Sequence, residues 1–227
     1  MKVLSAIVIL CGSAGSLLAQ ELRPAEGWVK TMQAAVDRRE TKEEVLSLLT
    51  ESCIADGQAE AAQQALLKLH DGITDPHAKL ALLRPMKWAA FAAGKLPELE
   101  KLFAARRDAQ PDSALAWLEQ AEIEGASHSY PTQSGNLTKA GTLALENEAL
   151  LREVLDRQEE AGFWDDGLST AENWVKKHST PQAMCRLANL HLIVGDDLRA
   201  WKLAAEAVKD ARLTAGDLQE LSRDYRQ

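Results

Sequence analysis

Aromatic residues are scarce, at 5% of 227 residues, and β-branched residues are thinly spread. The chain therefore has little of the material from which pleated sheets are made. Seven prolines and thirteen glycines exclude collagen-like and low-complexity sequence. Of three cysteines, Cys11 falls near the N-terminus, leaving Cys53 and Cys185, too few for a disulfide scaffold. Cations are in deficit, with 26 Lys+Arg against 34 Asp+Glu and a net charge of −8. That balance argues against binding a phosphate backbone, which needs clustered cations. The metalloprotease, serine-hydrolase, phosphate-loop and Cys-x-x-Cys patterns are all missing. A hydrophobic share of 46% with 26% charged residues nevertheless suits a globular chain and rules out wholesale disorder.

One apolar run stands out, at the start. Lys2 precedes Val3–Leu10, then a stretch of small residues, then Leu17, Leu18 and Ala19. A positive start, an apolar core and a small residue at the cut form the pattern of a secretory signal. Residues 1–19 are expected to be a signal peptide cut after Ala19, although Leu17 departs from the small-x-small preference. A retained N-terminal membrane anchor is the alternative, since the segment is short of the ~20 apolar residues a bilayer requires. A lipidated Cys11 is disfavoured by Leu10 directly before it. The expected location is periplasmic or secreted, with no membrane insertion after cleavage.

Ala, Leu, Glu and Lys dominate the rest, a helix-forming composition. Residues 20–42 read as an N-terminal helix and linker, beginning at Pro24, with Trp28, Met32 and Val36 as an i, i+4, i+8 stripe. Thr41 to Glu44 matches a capping box. The helix after it carries Val45, Leu46, Leu48, Leu49 and Cys53 and stops at Asp56-Gly57. The next spans 58–70. Asp75-Pro76, Leu96-Pro97, Pro111-Asp112 and Thr180-Pro181 open further helices, since Pro at the first helical position forfeits no hydrogen bond. Thr214 to Asp217 opens a last one, a C-terminal capping helix over 215–227. Pro85 interrupts the apolar run 76–93, predicting a kink or restart. Residues 125–141 lack an apolar period and read as an inserted loop; within it, Asn136-Leu137-Thr138 matches a glycosylation triplet. No segment shows strand alternation, so the fold class is all-α.

The glycines that close helices carry the most information. Gly57, Gly94, Gly125, Gly162 and Gly195 are spaced by 37, 31, 37 and 33 residues. Recurrence near 34 residues, with two helices in each interval, is the mark of a helical-pair repeat. Such a pair cannot bury both apolar flanks alone, so neighbours must stack. The best-formed unit, 181–214, has Leu187-Ala188, Gly195, Ala200 and Ala207. Partial matches are Gly94, Phe103 and Pro111; Leu49, Gly57 and Ala62; and Gly162, Gly167 and Ala171. On these residues the chain resembles the tetratricopeptide repeat (TPR) family over 43–214. The resemblance implies a right-handed superhelical stack of antiparallel helix pairs, about four repeats, a TPR-like α-solenoid. Departures are Lys87, Leu99 and Trp174 where small residues are expected, and a degenerate middle unit.

The resemblance also implies a concave groove lined by the first helix of each pair and occupied by a protein or peptide segment. The family's inward positions fall on Arg84 and Trp88, Arg152 and Asp156, and Arg186 and Asn189. The three arginines would offer forked donors to carboxylates. The family's peptide-carboxylate clamp is not reproduced, since Asn189 alone matches one of its residue types.

No cofactor or metal is expected. The five histidines lack ligand spacing, and Cys185 and His191 point about 240° apart on one helix. Asp165-Asp166 and Asp196-Asp197 read as helix caps rather than calcium ligands, because the alternating spacing of a calcium loop is absent. Cys53 and Cys185 sit beside apolar neighbours and read as buried free thiols. Trp88, Trp117, Trp164, Trp174 and Trp201 lie on or beside helices with apolar companions, so core packing is expected for most of them, and an exposed one would be an anchor for a partner. Together these features describe a non-enzymatic, secreted or periplasmic helical-repeat adaptor that binds protein segments. A structural or assembly subunit of an envelope complex is the alternative, and an enzyme using the loop as a lid, with His128 and Tyr130, is the third reading.

Overall fold

The computed structural model describes residues 27–125, 130–210 and 212–216. Among them the secondary structure is helical throughout, in eleven α-helices: α1 (Trp28–Asp37), α2 (Glu43–Ala55), α3 (Ala59–Gly72), α4 (Pro76–Ala92), α5 (Leu96–Ala109), α6 (Ala114–Glu124), α7 (Tyr130–Leu143), α8 (Glu148–Glu160), α9 (Trp164–His178), α10 (Pro181–Ile193) and α11 (Asp197–Ala207). A short 3-10 turn, Ala144–Glu146, precedes α8. The expected signal peptide and Pro24, and residues 217–227 of the expected capping helix, lie outside the described residues.

After α1 the helices come in five consecutive pairs, whose first members begin at residues 43, 76, 114, 148 and 181. The chain divides into two compact units, Met1–Ala104 and Ala105–Gln227. In the first, α1 packs on α2 and α3, and α2 and α3 both pack on α4. In the second, α6 packs on α7 and α8, α7 on α8 and α9, and the chain continues through α9 and α10 to α11. These main contacts join helices one or two places apart in sequence, the order that stacking of pairs produces.

Four first helices end in one and the same turn. Gly57, Gly94, Gly162 and Gly195 have φ of 73°, 67°, 74° and 82°. The following residue's N–H reaches back to a carbonyl five residues earlier, as Gln58 to Cys53, Lys95 to Ala90, Phe163 to Gln158 and Asp196 to His191, each at 2.8 Å. This is the Schellman closure, in which the left-handed residue turns the chain through the end of the helix. Gly125 does not share it: its φ is −56°, and an added Cβ would require only that the amide end of the Gln133 side chain, 2.6 Å away, move aside.

The fold corrects several expectations. Residues 130–141 are not a loop but most of α7, so the interrupted unit is a full pair and the pairs number five rather than about four. Its composition hid it, because Gly, Ser and Thr disfavour helices in isolation, whereas here tertiary packing of one face outweighs that preference. The buried face of α7 is Asn136, Leu137, Ala140 and Gly141, and Gly141 lies so near Thr170 of α9 that a Cβ would stand 3.1 Å from it. Pro131 sits in the first turn, where proline is tolerated. Pro85 neither ends nor restarts α4; it is buried within a single helix. The capping box at Thr41 does not form. Glu40 accepts instead from the backbone N–H of Thr41 and Lys42, at 3.1 and 3.0 Å. Asp75, Thr180 and Asp196 cap as expected, while Ser113 rather than Asp112 caps α6. Asp165 and Asp166 lie inside the first turn of α9, and Asp166 accepts from Ser134 of α7 at 2.5 Å.

Each unit has its own dry core. The first holds Met32, Leu46, Leu66, Leu82, Leu83, Met86, Leu99 and Phe103, and the second Leu118, Ile123, Leu137 and Trp174. Cys53 and Cys185 are buried free thiols. Burial, with Asp56 nearby, pushes the Cys53 thiol up to about 11. Gly94 and Gly72 both face open space, but only Gly94 has a positive φ. Gly94→Ala should therefore lower unfolding free energy by about 1 kcal/mol or more, and Gly72→Ala should be neutral or stabilising by about 0.5 kcal/mol. Urea unfolding of the two variants side by side checks this; equal losses would remove the conformational account of the turn.

Candidate interaction faces

In the first unit, α4 turns Leu80, Leu82, Leu83, Met86, Ala89 and Ala90 into the core. Its outer face carries Arg84, Trp88 and Phe91, spaced i, i+4, i+7 along one side. Trp88 is 41% exposed and Phe91 72%. The Arg84 guanidinium lies 5.8 Å from the Trp88 ring centre, within cation–π range, and 3.8 Å from Glu43 of α2. Helix α4 contains Lys79, Arg84 and Lys87 and no carboxylate. Phe91 was missed in the sequence, where it reads as one more apolar residue of an Ala-rich helix end. Its i+3 relation to Trp88 was the available signal.

In the second unit the expected residues meet differently. Asp156 of α8 and Arg186 of α10 form an ion pair, Arg186 Nη2 donating to Asp156 Oδ1 at 2.5 Å, with Arg186 Nε 2.7 Å from Glu159. The fork is thus engaged by its own protein rather than held out to a ligand. Arg152 is exposed, pairs with Glu148 of its own helix at 3.5 Å and lies 5.8 Å from the ring of buried Trp174. Asn189 is buried and does not present itself on a surface.

A second bridge was not foreseen. Arg157 Nε donates to Glu122 of α6 at 2.9 Å, and its Nη1 is 3.4 Å from Glu153. Burial opposes the Arg157 charge, but Glu122, Glu153 and Glu160 outweigh it and raise its pKa. Arg157 and Arg186 therefore each reach back to the first helix of the preceding pair, Arg157 from α8 to α6 and Arg186 from α10 to α8. This ladder is invisible in sequence because its partners are 30 to 35 residues apart.

Other candidates resolve simply. Tyr130 opens α7, exposed, with its ring edge-to-face against Phe163 at 6.4 Å; His128 lies outside the described residues. Asn136 is buried, and its Nδ2 donates to Glu124 Oε2 at 2.5 Å, while Gln120 donates to the other oxygen at 2.7 Å. Among the described residues no three His, Cys, Asp or Glu side chains are placed to hold a metal, and no helix is long and apolar enough to cross a membrane. Besides Trp88, exposed tryptophans include Trp201 on α11 and Trp164 at the start of α9, so core packing, expected for most of the five, does not hold for these three.

The paired helices, their recurring turn and the order in which they pack within each unit define the class: an all-α protein of repeated helix pairs. No protein-family model and no curated protein matches the chain. Among solved structures it is similar to a thermophilic TPR protein of Thermus thermophilus, with 15% identity and a TM-score of 0.38 over 82% of this chain and all of that one.

Removing Arg157 takes one cation from Glu122 and Glu153, whose side chains are 15% and 23% exposed. Arg157→Ala should cost about 2 kcal/mol, reduced by partial exposure from the loss seen for a fully buried pair. Arg152→Ala, on an exposed i,i+4 pair, should cost less than about 0.5 kcal/mol. Chemical denaturation of both variants reads the contrast, and comparable losses would show that the ladder is no tighter than an ordinary surface pair.

Proposed function

We propose that this chain is an adaptor, exported from the cytoplasm, that binds a segment of another protein on the first helices of its pairs. The observation that carries this reading is the Arg84–Trp88–Phe91 face of α4. Two large aromatic side chains on one exposed side of a helix are a strong surface cost unless something covers them, and Trp and Arg are the residues that most often anchor protein partners. A stack of helix pairs supports the same reading, since it builds extended surfaces without needing a catalytic constellation. Export rests on the pattern of residues 2–19, with a retained anchor as its alternative. The Asp156–Arg186 pair is better read as holding α8 against α10 than as contacting the partner, and Asn189 is buried away from any surface.

A second reading, a structural subunit of an envelope assembly, is favoured by α11. There Leu198 and Trp201, with Val208 just past the helix end, are exposed, Trp201 at 60%.

Selection of a displayed random-peptide library on the full chain tests the adaptor. Enriched peptides should bind, and Trp88→Ala and Phe91→Ala should each weaken them about tenfold or more with an unchanged helical spectrum. Absence of enrichment, or affinities indifferent to both substitutions, would remove the assignment. N-terminal sequencing of the exported protein checks the leader: a chain starting at Gln20 supports it, and a cytoplasmic chain starting at Met1 defeats it.

A further inference from the structure

We infer that the second unit carries a docking ledge of its own, along the turns that join the two helices of each pair, for a basic protein segment with apolar side chains. It stands apart from the α4 face and does not depend on it. Tyr130, Trp164 and Leu198 follow one another at the 34-residue interval of the repeat. Each stands at the start of the second helix of its pair, in α7, α9 and α11. They are 52%, 36% and 67% exposed, so three successive pairs leave a large apolar side chain outside at the equivalent place. Packing brings the three starts to one edge. The Tyr130 ring meets Phe163, the residue before Trp164, edge-to-face at 6.4 Å, and Ser134 donates to Asp166, so α7 and α9 begin side by side. They also end side by side, His178 Nε2 lying 2.6 Å from the Leu145 carbonyl. Gly167, in the first turn of α9, lies against Leu190 near the end of α10, which would be 3.6 Å from an added Cβ. Helix α11 starts four residues after α10 ends, and so at that same edge.

Charge along the ledge decides what it takes. Asp165 and Asp166 follow Trp164, and Asp196 and Asp197 precede Leu198. Residues 158–175 contain no lysine or arginine, and residues 130–138 contain no charge at all. Arg157 and Arg199, the nearest cations in sequence, already pair with Glu122 and Asp196. Asp165 and Asp197 are exposed. Rings beside carboxylates suit an arginine or lysine: the ring face attracts the cation, the stem lies along apolar surface and the carboxylate bonds the head. Leu198 adds an aliphatic contact for an apolar neighbour. A second copy set on this edge would bring like charges together, and an anionic bilayer would be repelled by the same carboxylates.

The test uses the full-length protein and three fluorescently labelled peptides with one Leu-Pro-Leu core, flanked by Lys and Arg, by Gln, or by Glu. The basic peptide should bind about tenfold or more tightly than the neutral one at low salt, and the difference should shrink by about 0.5 M NaCl. Trp164→Ala and Leu198→Ala should each weaken the basic peptide about fivefold or more with an unchanged helical spectrum. Asp165→Asn with Asp197→Asn should remove most of the basic preference. Glu51→Gln with Glu60→Gln, an equal loss of charge at exposed positions of α2 and α3, should leave it intact. Neutral-peptide binding retained in both double variants separates lost charge from lost folding. Equal binding of basic and neutral peptides, equal effects of the two double variants, indifference to Trp164→Ala and Leu198→Ala, or no binding by any peptide would overturn the ledge and leave the α4 assignment untouched. A dimer on size-exclusion chromatography that Leu198→Ala disperses, without peptide binding, would overturn it in favour of a contact between copies.

Discussion

A helix of ten to seventeen residues with apolar residues on more than one side has no stable existence alone in water. Everything in this protein follows from that constraint. Leu46 and Leu49 of α2, Leu66 and Leu69 of α3, and Leu80, Leu82, Leu83 and Met86 of α4 are all buried, and no two helices could dry all of them. Within each unit, therefore, a pair presents a flank to the neighbouring helices. The left-handed turn at Gly57, Gly94, Gly162 and Gly195 makes this possible by reversing the chain within a few residues and closing the helix end with a backbone hydrogen bond.

That same economy explains why the stack was readable in the amino-acid sequence. The all-α class followed from composition, and helix starts followed from caps such as Asp75-Pro76 and Thr180-Pro181, whose mechanism is local. The glycine period followed from a turn that demands a positive φ. Where the determinant was tertiary, the reading failed. Helix α7 looks like a loop because its Gly141 and Thr138 are poor helix formers, yet Gly141 is where Thr170 comes close, so that a Cβ there would be tightly packed. Gly125 fell on the period without sharing the left-handed turn. The Thr41 capping box lost to Glu40, one residue outside the motif.

The candidate faces divide in the same way. Trp88 and Arg84 were singled out by the resemblance to the family's inward positions, and their i, i+4 spacing does place them on one face of α4, to which Phe91 also belongs. The pairing of the charges of α8 and α10 was not legible, because an arginine on a helix surface looks identical whether it faces solvent or a carboxylate from another pair. Arg186 with Asp156 and Glu159, and Arg157 with Glu122 and Glu153, convert donors that seemed available for ligands into ties between successive pairs. The first unit keeps its cations beside exposed aromatics, and the second commits its arginines to its own carboxylates.

The burial of Asn136 has a consequence for biogenesis. Its amide nitrogen, the atom to which an oligosaccharide would be joined, is occupied by Glu124 inside the α6–α7 contact. Sugar transfer and docking of α7 are therefore mutually exclusive fates of one nitrogen. In any secretory pathway that carries a glycosyltransferase for this triplet, the outcome is a race between enzyme and folding, and a molecule that acquires the glycan first has lost the means to close its third helix pair.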